Sequence, residues 1–189
     1  MGDLDTLYLK RLRESIVVRQ ESNGLSDVVM EAGKRISERI KKGGRVFLFG
    51  NGGSASDAQH IAAEFVGRFT KNRHALPAMA LVSNVPSLTA IANDFGYDNV
   101  FSRQLEGLAK KGDVVIGIST SGESQNVILG LEKAKEIGCF CIGLTGQRKG
   151  KMDTICDLCI HVPSTDTQRI QEMHIFIGHV ICEIVEGDL

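Results

Sequence analysis

With 189 residues, 42% hydrophobic and 24% charged side chains and a net charge of −1, the chain reads as one ordinary globular domain, able to bury about 70% of its unfolded surface. The even charge balance gives no electrostatic case for nucleic acid or an anionic membrane as partner. No run approaches the roughly 20 apolar residues of a membrane-crossing helix, and the N-terminus is charged from Asp3 onward, so the expected location is cytoplasmic.

Residues 3–42 lack proline and predict two amphipathic helices broken at Asn23-Gly24. Leu4, Leu7, Tyr8, Leu12 and Ile16 stripe the first, and Val28, Val29, Ala32, Ile36 and Ile40 the second. This pair, residues 1–42, is expected to serve oligomerisation as part of the same domain, since an apolar stripe on such an appendage usually finds a partner. Residues 43–189 carry the rest. Val46-Phe47-Leu48-Phe49 is a short continuous apolar run ending in Gly50-Asn51-Gly52-Gly53-Ser54, the mark of a buried strand followed by a tight turn. Ser54 is expected to cap a helix over residues 55–69, with Ala58, Ala62, Phe65 and Phe69 on one side. Pro77 to Val82 predicts a second strand, Ser87 to Asn93 and Asn99 to Ala109 two short helices, and Val114 to Ile118 another buried strand. A helix to about Ile137, strands at Cys139 to Leu144 and Leu158 to Val162, and a long helix from Thr165 to Val185 complete the chain. Apolar strands alternating with helices predict an α/β protein: a three-layer α/β/α sandwich with a central parallel sheet, binding loops at the strands' C-terminal edge, and an N-terminal helical extension.

Glycine-rich turn and helix start together make an anion site, because free N–H groups and the positive end of the helix dipole face the same point. Gly50-Asn51-Gly52-Gly53-Ser54-Ala55 formally fits a dinucleotide fingerprint, but the next strand ends in Ser83-Asn84 with no acid for a ribose, and no Gly-Lys-Ser/Thr follows for a nucleotide P-loop. The loop Ser119-Thr120-Ser121-Gly122-Glu123-Ser124 offers four hydroxyls in six residues, enough to surround a phosphate without cationic side chains. Two such loops on one sheet edge suit a sugar phosphate. His60 and Glu64, four apart, share a helix face, and Gln171 and His179 lie on one stripe of the last helix. His74 and His161 read as surface or satisfied histidines, and His174 takes no role. Five cysteines form no disulfide scaffold. Cys156 and Cys159 make a CxxC, but it lacks a second pair at zinc-ribbon spacing and leads into a strand, so buried structural thiols are expected, with redox or metal work as the alternative.

Taken together, Gly50-Asn51-Gly52-Gly53-Ser54, Asp57-Ala58-Gln59-His60 through Glu64, Asn93-Asp94-Phe95-Gly96, Ile118 through Gly122 and Arg169 through His174 closely resemble the phosphoheptose isomerases of the sugar isomerase (SIS) fold, from about residue 20 onward. The resemblance implies a cytoplasmic homotetramer with active sites at subunit interfaces and one zinc per subunit. It implies conversion of sedoheptulose 7-phosphate to D-glycero-D-manno-heptose 7-phosphate for heptose-containing surface glycans such as lipopolysaccharide. Its metal ligands fall on His60, Glu64, Gln171 and His179. Its substrate contacts fall on Asn51, Gly52, Gly53, Glu64, Asn93, Asp94, Ser119, Thr120, Ser121, Ser124 and Gln171. Gln168 departs from an acidic residue found in some members. The mechanism expected is a proton transfer between C1 and C2 through a cis-enediol, with Glu64 as the base at carbon and His179 serving the oxygens. The alternatives are isomerisation of another phosphosugar, or a non-catalytic SIS domain that binds a sugar phosphate or a partner protein.

Overall fold

The computed structural model describes residues 2–189, with side chains from residue 6 onward; the Leu4 side chain therefore lies outside the described residues. Helices α1 (Gly2–Glu21) and α2 (Ser26–Lys41) are joined by a 3-10 turn, Ser22–Leu25, at the expected Asn23-Gly24 break. The chain then alternates: β1 (Val46–Gly50), α3 (Gly53–Val66), β2 (Ala78–Ala80), α4 (Val85–Phe95), α5 (Ser102–Leu108), β3 (Val114–Ser119), α6 (Gln125–Ile137), β4 (Phe140–Thr145), α7 (Lys151–Ile155), β5 (Leu158–His161) and α8 (Thr167–Asp188). The five strands are all parallel, in the order β2-β1-β3-β4-β5. The sandwich expected from the strand pattern is the one formed.

The pleat divides the core in two. Val46, Leu48, Val114, Ile116 and Ile118 point to the face covered by α2, α3 and α8, where they meet Ile36, Phe65, Ile177 and Ile181. Phe47, Phe49 and Val115 point to the other face and pack with Phe101, Leu105, Val127 and Leu131. Both faces being covered explains why β1 and β3 are apolar at consecutive positions. The N-terminal pair is anchored through α2, which lies against α8 so closely that a Cβ on Gly33 would stand 2.6 Å from the Ile184 side chain. By contrast, Leu7, Leu12 and Ile16 of α1 remain exposed.

α3, β2 and α7 depart most from the sequence reading. α3 starts at Gly53 and stops at Val66, because Gly52 at φ 55° is its N-cap and Ser54 is already inside the helix and buried. β2 is an edge strand of three residues. α7 is too short to show periodicity; Asp153 closes it by accepting the Gly150 N–H at 2.7 Å.

Candidate active site

From β1 the chain moves outward to β2, while β3 lies on the other side of β1. The loops leaving β1 and β3 therefore diverge and open a crevice at the strands' C-terminal edge, the usual ligand site of such sheets. Both loops with phosphate-binding character sit there.

The first loop tolerates only glycine at its start: a Cβ on Gly50 would lie 2.7 Å from the Ile118 carbonyl and from the Ser54 side chain. Asn51 follows, and its amide is locked by Asn126 at the start of α6. Asn51 Nδ2 donates to Asn126 Oδ1 at 2.9 Å and Asn126 Nδ2 donates to Asn51 Oδ1 at 2.8 Å. Tyr97 adds its hydroxyl to Asn51 Oδ1 at 2.9 Å. That bond draws the segment after α4, three residues past Asp94, toward the first loop; in the last turn of α4 itself, Asn93 donates to Asp94 at 2.8 Å. Neither Asn126 nor Tyr97 was singled out from the sequence. Asn126 reads there as one polar residue at a helix start, and only the β1–β3 adjacency shows its partner.

In the second loop, Ser119 Oγ is 2.9 Å from Ser124 Oγ and 3.4 Å from Ser121 Oγ, so three hydroxyls face one another across the turn at Gly122, where φ is 71°. A cavity of about 360 Å³ opens beside it, lined by Thr120, Ser121, Gln147, Arg148 and Thr167 among others. Arg148 supplies a cation that the hydroxyl pattern alone did not suggest.

Helices α3 and α8 run side by side in the same direction, and their register brings the titratable residues together. Gly178 abuts Ile61, with room for no Cβ: one there would stand 2.5 Å from Ile61 Cδ1. One residue away on each helix, His179 Nε2 lies 3.2 Å from His60 Nε2, and His60 Nε2 lies 3.3 Å from Glu64 Oε1. The donor atoms of His60, Glu64 and His179 all fall within 4.8 Å of one another. Two ligands at 2.0–2.1 Å from a tetrahedral ion stand about 3.3 Å apart, so the trio has the spacing of a three-residue metal centre with an open position. Gln171 sits elsewhere on α8. Its amide covers Gly53 at the N-terminal end of α3, eight residues and so about 12 Å of helix axis from His179.

The carboxylate end of this helix pair is fixed from behind. Arg73 donates to the backbone carbonyls of Glu64 and Phe65 at 2.8 Å each, closing the end of α3, and pairs with Glu186 of α8 at 3.0 Å. Burial pushes the Glu186 carboxyl up, but the Thr70 hydroxyl and the backbone N–H groups of Phe69, Thr70 and Lys71 outweigh it and hold the pKa down to about 2. Asp57, one turn before His60, is raised to about 6 by burial, with the His60 charge opposing. His174 is fully buried, which lowers it to about 4 against the hydrogen bond to the Thr145 carbonyl, and it points away from this chemistry.

The SIS-domain family model matches residues 8–146. Among curated proteins, the chain is 53% identical over 165 residues to the phosphoheptose isomerase of Aliarcobacter butzleri, covering 87% of each chain. It is 58% identical over 149 residues to that of a Nitratiruptor species, covering 79% of this chain and 80% of that one. Among solved structures, the phosphoheptose isomerase of Neisseria gonorrhoeae superposes with a TM-score of 0.92 at 39% identity, over 97% of this chain and 99% of that one. The one from Francisella tularensis gives 0.94 at 32% identity, over 99% and 100%.

Proposed function

Because the chain belongs to the SIS-domain family of phosphoheptose isomerases, we propose a residue-by-residue account of how it converts sedoheptulose 7-phosphate to D-glycero-D-manno-heptose 7-phosphate in heptose biosynthesis. The observation that carries the account is the meeting of His60, Glu64 and His179 between α3 and α8, at separations of 3.2 and 3.3 Å.

The hydroxyls of Ser119, Thr120, Ser121 and Ser124, with the N–H groups at the start of α6, hold the phosphate. That contact is remote from the reacting carbons and serves to position them. Asn51, Gly52 and Gly53 line the sugar's path, joined by Asn93 and Asp94, with Asn51 kept in one orientation by Asn126. Gln171, lying over Gly53, meets the sugar from the α8 side. Glu64 takes the proton from C1 of the ketose and returns it to C2, which gives the aldose through a cis-enediol. His179 carries a proton between O1 and O2 in the same passage, so atoms and charge balance over the cycle. Each of these two groups is expected to contribute about 10²- to 10⁴-fold.

His60, Glu64 and His179 would hold a zinc ion, and their donor spacing supports that reading. Gln171 is assigned as the fourth ligand; the two helical turns between it and His179 favour its reaching a centre shared between subunits. Bound there, the ion would supply positive charge to the sugar oxygens. A homotetramer with active sites at subunit interfaces agrees with the exposed Leu7, Leu12 and Ile16 of α1, and sedimentation of a monomer at micromolar concentration would refute it. Among the described residues no helix is long and apolar enough to cross a membrane, and we assign the protein to the cytoplasm.

Incubating the purified protein with zinc and sedoheptulose 7-phosphate, and following the aldose by NMR, tests the reading. Aldose should accumulate to equilibrium. A ketose that binds and stays unconverted would favour a sugar-phosphate-binding protein instead.

A further inference from the structure

A second group of metal donors stands at the β5 edge of the sheet, where α7 covers β4 and β5. Asp153, Cys159 and His161 bring their donor atoms within 4.8 Å of one another. Cys156 joins them. A Cβ on Gly143 of β4 would lie 3.0 Å from Cys159 Sγ and 3.2 Å from Cys156 Sγ, so both sulfurs converge on the space that the glycine leaves.

Hydrogen bonds around the group leave its donors aimed inward. His161 Nδ1 lies 3.0 Å from the Gly146 carbonyl, and Nε2 lies 2.7 Å from Asp153 Oδ1. A carbonyl accepts only, so Nδ1 carries a proton and Nε2 is the exchangeable nitrogen, the arrangement usual for a metal-ligating histidine. Asp153 has its other oxygen taken by the Gly150 N–H at 2.7 Å, which turns Oδ1 toward His161. The link between the two cysteines is pinned as well: Asp157 accepts the Cys141 N–H at 2.8 Å and receives Lys135 Nζ at 2.7 Å. The Asp153 and His161 side chains are only 25% and 20% exposed.

We propose that Cys156, Cys159, His161 and Asp153 form a structural site for a thiophilic divalent cation of the zinc type, fastening α7 and the start of β5 to the sheet. Two sulfurs with an imidazole favour zinc over calcium or magnesium. Binding releases the two thiol protons, Nε2 turns its lone pair to the ion, and the 2.7 Å His161–Asp153 contact opens to the roughly 3.3 Å spacing of ligands around a tetrahedral ion. The filled site carries a net charge of −1, which the nearby Lys149, whose charge already acts on Asp153, offsets. The set His60, Glu64, Gln171 and His179 contains no sulfur, so the two centres differ in ligand chemistry.

Cobalt(II) separates the two centres. The reduced full-length protein loaded with cobalt should show thiolate-to-cobalt charge-transfer absorption. Cys156→Ser with Cys159→Ser should lose that absorption and one metal per chain, while His60→Ala should keep the absorption. X-ray absorption on the unmutated zinc protein gives an answer that does not depend on a variant folding: sulfur scatterers at about 2.3 Å are expected. A zinc shell of nitrogen and oxygen alone in fully metallated protein overturns the proposal. So does charge-transfer absorption that survives the double serine change, or a Cys156–Cys159 disulfide in protein purified without oxygen.

Discussion

Gly178 is the position where packing and chemistry are most tightly joined. Replacing it with alanine puts a methyl 2.5 Å from Ile61 Cδ1 and 2.6 Å from Ile61 Cγ1, against an ordinary carbon–carbon contact of about 3.5–4.0 Å. Ile61 is buried and β-branched, so it cannot turn aside cheaply. The helices must separate by about 1 Å. Overpacking of this kind costs about 1–3 kcal/mol, while replacing a helical glycine by alanine returns about 1 kcal/mol. Thermal unfolding should therefore fall by no more than about 8 °C. Turnover should suffer far more, because a 1 Å misplacement costs about 10²-fold, and the 3.2 Å spacing of the two imidazoles depends on this contact. Steady-state kinetics beside thermal melts read both effects. Adding Ile61→Ala removes both offending atoms and should restore much of the lost kcat. Full activity in Gly178→Ala with an unchanged melt would refute the reasoning, as would a double variant no better than the single one.

Ser121→Ala combined with Ser124→Ala should raise KM for the phosphorylated sugar with a smaller effect on kcat; an unchanged KM would move the phosphate elsewhere. Asn126→Ala removes both amide contacts to Asn51, worth about 1 kcal/mol each, and should lower kcat/KM by roughly tenfold or more without unfolding the protein, as circular dichroism and kinetics together would report. For Glu186, the native pKa of about 2 lies below the ordinary 4.5. Its contribution to stability is thus complete above about pH 4.5 and is lost as the pH falls toward 2. Melting temperatures measured across that window should drop less steeply for Glu186→Gln than for the unchanged protein, and equal slopes would contradict the assignment.

The sheet was legible because its middle strands are buried on both faces: Val46 to Phe49 and Val114 to Ile118 leave no alternation to misread. The α3 boundary was not. Ser54 is a good capping residue by type, yet the chain turns one step earlier on Gly52, whose positive φ cannot be read from a Gly-Gly pair. α7 escaped notice for lack of length, since five residues give no period. At the candidate site, His60, Glu64 and His179 could be picked out by type and spacing, but their meeting could not. His60 and Glu64 are neighbours on one helix by arithmetic; His179 reaches them only because Gly178 and Ile61 set the register of two helices more than 100 residues apart in sequence. The CxxC at Cys156 and Cys159 was visible in the sequence, but Asp153 was not joined to it, because the α7 that carries it is too short to show a period.

Glu64 carries the central claim, and its removal tests that claim most directly. Glu64→Gln should fold, bind sedoheptulose 7-phosphate and leave it a ketose in an NMR time course in which the unchanged protein reaches equilibrium with the aldose. Conversion by the variant at an undiminished rate would show that the carbon-bound proton is moved by another group.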